Sequence, residues 1–247
     1  MGSRAAPSKL YDSLSMTGWR VLPFEVGEAR VLLDRGMALL EGLAADPTPT
    51  LRWYEASRPA IVLGRGQGAP AVSERVDVVT RFSGGGAVLL DSDVLSLDVL
   101  VPAGHPLLDG DLTAAFLRVG HGWARALREL GVPDVTVWEG PSTARRRGSA
   151  RERLAAAVCY ATIGRGEISS GGRKLVGLAQ RRRRPGALVQ CGLLRRWRPA
   201  KLLRALGADP DDPEITHHAT GLDEIVPDPP TNERVMKAVE WELTHHE

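Results

Sequence analysis

The sequence predicts an α+β fold with mixed, mostly antiparallel sheets and helices packed outside them. Short apolar stretches follow one another with glycines at their joints, which is typical of strands. Only a few segments repeat apolar residues at helical spacing, and they do not alternate regularly with the strands, so a parallel βαβ sheet is not expected. The 247 residues, 43% of them apolar, suit one domain over 16–247 after a disordered segment over 1–15.

The first half of the chain is predicted to contain one helix and several strands. Apolar residues at helical spacing predict the helix from Glu25 to about Leu43. Alternating or continuous apolar residues predict the strands, and we expect the last two to pair around Asp91-Ser92-Asp93. The predicted strands are Leu51–Glu55, Ala60–Leu63, Val76–Phe82, Ala87–Leu90 and Val94–Val101.

The second half opens with the clearest helical pattern of the chain. Asp111 is placed as an N-cap before an apolar face that runs from Leu112 to Leu130. A strand over Val135–Trp138 leads into Glu139–Arg153, whose Gly, Ser and Arg content indicates a mobile surface loop. The remaining predicted elements are strands near Ala156–Ile163, Glu167–Ser170, Arg173–Arg181 and Ala187–Leu194, a helix over Pro199–Leu206, a strand or turn over Ile215–Leu222, and a closing helix over Thr231–His245.

Composition excludes several classes of function. The formal net charge of +2 gives no general case for nucleic-acid binding. No apolar stretch is long enough to span a bilayer, and the N-terminus lacks the apolar segment of a secretory signal, so we expect a cytoplasmic protein without a membrane partner. Cys159 and Cys191 are then expected to be reduced thiols. The adjacent pairs His217-His218 and His245-His246 lack metal-ligand spacing, so no metal site is expected.

A glycine-rich loop is the first candidate for chemistry. Arg81–Val88 contains Gly84-Gly85-Gly86 between two predicted strands. Glycines cost conformational entropy and are tolerated where the backbone must approach a neighbour closely or take positive φ. Exposed amides in such a loop can bind an anion or a carbonyl oxygen, whereas a tight bulge at a strand joint is the purely structural alternative. Because no lysine follows, the segment is not a phosphate loop of the GxxxxGK[ST] type.

Lysine is rare in this arginine-rich chain and occurs only at 9, 174, 201 and 237. Lys174 lies on a predicted strand bracketed by glycines. If desolvated, it could act on a carbonyl or a proton; if exposed, it would protect a sheet edge from aggregation. Cys159 is either a small hydrophobe in a strand or, near Lys174 and several arginines, a nucleophile. The run Arg181–Arg184 is a solvated turn or a contact for an acidic partner.

Taken together, these segments resemble the lipoate–protein ligase A and octanoyltransferase family, whose catalytic fold is shared with biotin–protein ligases. Arg81–Val88 is similar to the family's "RRxSGGGAV" loop, and Arg173–Gln180 is similar to its "xKIxGSAQ" segment. Thr50–Tyr54, with Pro59–Gly64 and Gln67, resembles "LRFY…PALSLGxxQ". The resemblance extends from about Trp19 to Val239 and implies a biotin/lipoate protein ligase-like catalytic domain without an accessory C-terminal domain.

The resemblance also implies an activity and roles for residues. The family places a lipoyl or octanoyl group on a lysine of a lipoyl domain, from a 2-oxoacid dehydrogenase or the glycine cleavage system. Its donors are an acyl carrier protein thioester or free lipoate or octanoate. Lys174 would contact the acyl carbonyl and is needed for transfer. The residues implied to bind the substrate are Arg81, Ser83, Gly84, Gly85, Gly86, Ala87, Val88, Gly177 and Ala179.

The branches of the family differ in chemistry, and this chain departs from each of them. ATP-using ligases carry "HDxGN" and "HHGTLL", where this chain has Leu90–Val94 and Val189–Leu194. One thioester-using branch places a nucleophilic cysteine fifteen residues before the lysine, which is the spacing from Cys159 to Lys174. That cysteine is usually followed by Phe-Glu, whereas Tyr160-Ala161 follows here.

These comparisons leave three mechanisms in order of preference. The leading expectation is an enzyme that carries the acyl group as a thioester on Cys159, assisted by Lys174, and needs no tightly bound cofactor. The alternative is an ATP- and Mg²⁺-dependent ligase in which Lys174 and the Gly84–Gly86 loop hold an acyl-adenylate. A second alternative, motivated by the altered Val189–Leu194 segment, is a non-catalytic protein that binds an acyl group or a lipoyl domain.

Overall fold

The structure is a computed structural model that describes residues 13–14, 18–68, 76–145 and 147–245. Of the predicted disordered segment, residues 13 and 14 form a short strand, and the rest of 1–15 lies outside the described residues. The strands are β1 (Ser13–Leu14), β2 (Arg20–Gly27), β3 (Thr50–Ala56), β4 (Ala60–Leu63), β5 (Asp77–Thr80), β6 (Val88–Leu90), β7 (Val94–Pro102), β8 (Val135–Val137), β9 (Ile168–Ser170), β10 (Arg173–Arg183) and β11 (Gly186–Leu194). The helices are α1 (Ala29–Gly42), α2 (Ala114–Glu129), α3 (Ala150–Ala157), α4 (Ala200–Ala205), α5 (Pro213–Thr216), α6 (Leu222–Ile225) and α7 (Asn232–His245).

Two sheets form the framework. The larger has eight strands in the order β1-β2-β3-β7-β11-β10-β9-β8, and all its neighbours are antiparallel except β2 and β3. The smaller has three strands in the order β5-β4-β6, with β4 parallel to β5 and antiparallel to β6. The predicted α+β class with mostly antiparallel pairing is therefore confirmed.

Helices cover both faces of the larger sheet. On one face α2 and α7 pack against alternate residues of the central strands, and Trp53 of β3 meets Trp123 of α2 edge to face with ring centroids 5.7 Å apart. On the other face Leu40 of α1 packs with Leu100 and Leu188. This alternation follows from the two-residue period of the strands, which directs successive side chains to opposite faces.

Several boundaries in the first half differ from the sequence prediction. The helix predicted from Glu25 begins only at Ala29, because Glu25 belongs to β2, which pairs with β3. The expected hairpin of Ala87–Leu90 with Val94–Val101 is also wrong. Its first strand pairs with β4 in the small sheet and its second lies between β3 and β11 in the large one.

The second half contains three further corrections. Residues 150–157 of the predicted loop and strand form α3, whose capping box joins Ser149 and Glu152. Cys159 therefore lies in a 3-10 turn after this helix, and the strand predicted over Ala156–Ile163 is wrong. Asp111 is not the N-cap of α2 but accepts hydrogen bonds from the backbone amide and hydroxyl of Thr113, the capping residue. The segment predicted over Ile215–Leu222 contains α5 and the start of α6 rather than a strand.

A buried ion pair lies beneath α1. The Arg52 guanidinium contacts the Asp98 carboxylate at 2.8 Å and that of Glu25 at 2.9 Å, and Arg52 and Asp98 are fully buried. The Tyr54 hydroxyl donates a hydrogen bond to Asp98 at 3.3 Å. Burial raises the pKa of Asp98 to about 6, although Arg52 opposes this shift. The strand interior thus holds a carboxyl group that titrates in the folded protein well above its ordinary range.

We expect Asp98→Asn to change how stability depends on pH. The unfolded chain ionises Asp98 near pH 4 and the folded protein near pH 6, so the stability that Asp98 contributes is present below about pH 4 and lost as the pH rises to about 6. Relative to Asp98→Asn, the wild-type protein should therefore lose thermal stability between about pH 4 and 6. Melting curves at half-unit pH steps measure this, and a difference that stays constant across the range would contradict it.

Candidate active site

The glycine loop leaves β5 at Arg81 and is held by that residue's own side chain. The buried guanidinium donates hydrogen bonds to the carbonyl oxygens of Gly84 and Gly86, at 2.7 and 2.8 Å. Gly85 has φ of +100°, which a residue with a side chain rarely adopts. Arg81 thus braces the turn from within, which a substrate-binding role alone would not require.

The loop rests directly on the turn that contains Cys159. The Ala87 amide donates to the carbonyl of Ala157 at 2.7 Å, and the Cys159 amide donates to the carbonyl of Ala87 at 2.9 Å. A Cβ atom on Gly86 would lie 2.7 Å from the Cys159 nitrogen, so only glycine allows this approach. The requirement for close backbone approach, expected from the sequence, is met at Gly86.

Lys174 is buried at the start of β10, with only 3% of its surface exposed. Its ammonium contacts the Glu167 carboxylate at 2.6 Å and donates to the carbonyl oxygens of Cys159 at 2.8 Å and Thr162 at 3.0 Å. An ammonium has three donors, and these contacts use all of them. The alternative of an exposed edge-strand lysine is therefore wrong.

The chain far downstream completes the strand around Lys174. The Lys174 amide donates to the carbonyl of His218 at 2.8 Å, and the Thr220 amide donates to the carbonyl of Lys174 at 3.0 Å. Ala219 between them forms an isolated parallel bridge with Lys174. The backbone of Lys174 is thus paired on the side where the bulge in β10 interrupts its register with β9.

Cys159 is half-buried, and its sulfur lies 3.9 Å from the Lys174 ammonium nitrogen. The distance permits a direct electrostatic contact between a thiolate and the ammonium. Cys191, in contrast, is buried in β11, and burial raises the pKa of its thiol far above the ordinary value. Of the two cysteines, only Cys159 combines access with a neighbouring cation.

Two cavities meet at Cys159. A large polar cavity of about 1100 Å³ is lined by the glycine loop, Lys174 and Glu167, together with arginines from the surrounding loops. A small, mainly apolar cavity of about 80 Å³ extends between the two sheets. Three residues line both cavities: Arg81, Cys159 and Leu178.

Tyr160 forms one wall of the small cavity. Its hydroxyl donates to the carbonyl of Gly192 at 2.7 Å, and its ring centre is 5.2 Å from the Lys174 ammonium. Burial raises the pKa of the phenol above its ordinary value, so it remains a donor. The ring covers the directly paired glycines Gly177 and Gly192 of β10 and β11.

The structure separates the sequence-predicted site residues into three groups. Gly84, Gly85, Gly86 and Lys174 line the large cavity, and Arg81 and Cys159 line both. Val88, Gly177 and Ala179 line the small one. Ser83 and Ala87 are buried in contacts within the protein. Arg183 of the predicted basic run contacts Glu41 of α1 at 3.4 Å, and none of Arg181–Arg184 is among the described residues that line either cavity.

Sequence analysis missed two residues with defined roles in this geometry. Glu167 has one oxygen that accepts from Gly164 and contacts Lys174, while its other oxygen accepts from the Leu178 amide at 3.0 Å. A carboxylate just before a strand, across a glycine turn from the lysine, was the available signal. Gln190 accepts a hydrogen bond from the Ser83 hydroxyl, and only the spatial pairing of distant segments reveals this.

Two searches of the described part of the chain complete this description. No helix in it has the length and apolar character needed to cross a bilayer. Within the same residues, no group of three or more His, Cys, Asp and Glu side chains is arranged to hold a metal ion.

Comparison with known proteins gives one family. A family model described as the lipoyl protein ligase A/B catalytic domain matches residues 33–244. The octanoyltransferase LipM of Moorella thermoacetica is 38% identical over 183 residues, which cover 70% of this chain and 63% of that protein. LipM of Kyrpidia tusciae is 30% identical over 243 residues, covering 91% of this chain and 85% of that protein. The chain thus spans less than two thirds of the first of these relatives.

Solved structures with the same fold are also found. A crystal structure of lipoate-protein ligase A bound with ATP has a TM-score of 0.68 and 20% identity, and the match covers 92% of this chain and 85% of that one. The bipartite lipoate protein ligase of Thermoplasma acidophilum, solved in a study that includes its E2 lipoyl domain, has a TM-score of 0.69 and 19% identity over 92% of this chain and 82% of that one. At these identities, the likeness shows the fold.

We expect Gly192→Ala and Tyr160→Phe to compensate each other. A Cβ atom at Gly192 would lie 2.7 Å from the Tyr160 hydroxyl oxygen, so the first variant should lose about 1–3 kcal/mol of stability through overpacking. Tyr160→Phe loses one hydrogen bond, worth about 1 kcal/mol, but removes the clashing atom. The double variant should therefore be more stable than the sum of the single changes, as measured by urea denaturation.

Gly177→Ala is the matched control for this cycle. A Cβ atom there would meet the Tyr160 ring at 3.4 Å, which is ordinary contact. It should be tolerated better and should not be rescued by Tyr160→Phe. Additive effects of Gly192→Ala and Tyr160→Phe would contradict the packing described here.

Proposed function

Because the chain belongs to the lipoyl protein ligase A/B catalytic-domain family, we propose that it is an enzyme that transfers an octanoyl or lipoyl group to a lysine of a lipoyl domain. In this proposal Cys159 carries the acyl group as a thioester. The observation that supports it most directly is the position of the Cys159 thiol at the junction of an apolar and a polar cavity. An acyl chain can enter the first while its carboxyl end reacts in the second.

The chemistry has two steps. First, the Cys159 thiolate attacks the carbonyl carbon of a donor thioester, the bond from that carbon to the donor sulfur breaks, and the donor leaves as a thiolate that takes up a proton. Second, the neutral amine of the acceptor lysine attacks the carbonyl carbon of the Cys159 thioester. Cys159 leaves as the thiolate, and the surplus proton of the new amide nitrogen passes to solvent.

Lys174 is proposed to act in both steps through its charge. Its ammonium, 3.9 Å from the Cys159 sulfur, favours the thiolate. It also stands where negative charge develops on the acyl oxygen, and turning one donor from a main-chain carbonyl to that oxygen would stabilise the tetrahedral intermediate. Glu167 keeps the ammonium from moving into the open cavity.

The small cavity supports an acyl group of medium length. A buried water needs roughly 10–15 Å³ on the same volume measure, so about 80 Å³ holds the equivalent of about six waters. This suits the eight-carbon chain of octanoate or lipoate better than a long fatty acid.

The large cavity supports a protein acceptor approached through basic residues. Arg145, Arg147 and Arg165 line it, on the side opposite the apolar cavity in sequence and chemistry. An acidic lipoyl domain would be steered to such a rim, and its lysine could then reach the Cys159 thioester. An acyl carrier protein would use the same opening as donor.

An ATP-dependent ligase is the second candidate, and one observation favours it. The large cavity has room for a nucleotide and combines loop glycines with Lys174 and arginines, which is suitable for an acyl-adenylate phosphate. In this case Lys174 and Gly84–Gly86 would hold the adenylate, ATP and Mg²⁺ would be needed, and Cys159 would serve packing.

Intact-protein mass spectrometry distinguishes the two candidates. We expect the protein to gain one octanoyl group from octanoyl–acyl carrier protein, on the peptide that contains Cys159, and to pass it to an added lipoyl domain. Cys159→Ala should show neither the gain nor the transfer. Its melting curve should match that of the wild type, because the side chain is half-buried.

Free octanoate with Mg-ATP is the second arm of that experiment. Product from this donor that persists in Cys159→Ala would replace the thioester mechanism by the ligase. Binding of the lipoyl domain without turnover from either donor would contradict both and favour a non-catalytic binding protein.

Lys174→Met should slow acylation of Cys159 by about 100-fold, the scale reported for loss of one oxyanion donor. The matched control is Lys237→Met on α7, which removes an exposed lysine paired only with Glu233 four residues before it. Rates come from the same mass-spectrometric assay, alongside melting curves because Glu167 is left buried without its cation. Equal rates for the two variants would exclude Lys174 from the reaction.

A further inference from the structure

A row of polar side chains crosses the larger sheet beneath the small cavity. Arg52 of β3 lies directly opposite Asp98 of β7, and Asp98 lies directly opposite Gln190 of β11. Residues paired in this way on adjacent strands point to the same face. The sheet register alone therefore aligns a cation, a carboxylate and an amide.

The row continues off the sheet into the glycine loop. The Ser83 hydroxyl donates to the Gln190 side-chain oxygen at 2.9 Å, and the Gln190 amide is hydrogen-bonded to the Asp98 carboxylate. Asp98 contacts Arg52 at 2.8 Å. Ser83, Asp98 and Arg52 are all buried, with at most 1% of each exposed. These four residues are called the loop relay below.

The loop relay explains how a polar residue fits the wall of an apolar cavity. Gln190 lines the small cavity and would carry an unsatisfied amide there if it stood alone. Its oxygen and nitrogen are instead both occupied, and Asp98 in turn has Arg52 as its counter-ion. Gln190 also lies in the segment Val189–Leu194, whose departure from the family pattern the proposed mechanism does not explain.

Ser83 connects this row to Cys159 through the chain. It immediately precedes Gly84, and the far end of the same loop is bonded to the Cys159 turn through Ala87. A hydroxyl has one proton to donate, and Ser83 gives it to Gln190. Ser83 is thereby committed to holding the loop rather than to donating a hydrogen bond to a substrate.

We propose that Gln190 is a positioning residue, and that the loop relay Ser83–Gln190–Asp98–Arg52 fastens the glycine loop to the larger sheet and so fixes the Cys159 thiol at the mouth of the small cavity. The catalytic part of this inference rests on the proposed acyl transfer. The positioning of the loop itself does not depend on that activity.

Hydrogen exchange tests the positioning directly. In Gln190→Leu and in Ser83→Ala, the amides of Arg81, Ala87 and Cys159, all hydrogen-bonded in the wild type, should exchange about tenfold faster. The double variant should exchange no faster than the more affected single one, because both changes break the same chain of bonds. Ser96→Ala, on the neighbouring strand of the same cavity, is the control and should leave exchange at these three amides unchanged.

A kinetic measurement separates positioning from a general loss of structure. Both variants should raise the donor concentration needed for half-maximal acylation of Cys159 by about tenfold, whereas alkylation by iodoacetamide, which needs no loop, should proceed at the wild-type rate. Ser83→Ala supplies this result if Gln190→Leu does not fold.

Two results would overturn the inference: wild-type exchange in both single variants, or additive effects in the double one. Slower alkylation along with slower acylation would also overturn it, because the change would then lie in the Cys159 turn itself. If the wild-type protein takes up no acyl group, the proposed function fails, and the exchange measurement still decides whether the loop relay holds the loop.

Discussion

The site depends on one close main-chain approach, that of the glycine loop to the turn containing Cys159. With a Cβ atom on Gly86 only 2.7 Å from the Cys159 nitrogen, no other residue type allows the two segments to bond through Ala87. The loop belongs to the small-sheet side of the molecule, whereas Lys174 belongs to the large sheet. This contact therefore brings the two sheets' contributions together and creates the cavity between them.

The buried pair of Lys174 and Glu167 has the geometry that burial of opposite charges demands. Removing two ions from water costs several kcal/mol each, and attraction offsets this only when the remaining donors and acceptors are satisfied. Lys174 has two carbonyl partners besides the carboxylate, and Glu167 accepts from two backbone amides besides the ammonium. The pair consequently fixes the ammonium in space, which a mobile surface lysine could not achieve.

The sequence was sufficient for the fold class and for the meeting of the glycine loop with Lys174, because local patterns and motifs carry both. It misplaced Cys159 in a strand, since the apolar residues of Ala156–Ile163 suit a strand as well as a helix end, and the capping box at Ser149 was the signal that decides between them. Gln190 could not be found from the sequence, because its bond to Ser83 spans 107 residues and depends on sheet register. Such long-range pairing leaves no local pattern.

The pairing of the Lys174 backbone with residues 218–220 has a consequence for biosynthesis. Translation delivers the loop, Cys159 and Lys174 well before Thr220 leaves the ribosome. Until then the strand edge at Lys174 lacks its partner, and unpaired backbone groups cannot be kept dry without cost. A nascent chain that ends near Gly207 therefore holds every reactive side chain of the site and yet has no finished wall around its lysine, so competence arises only with the last part of the chain.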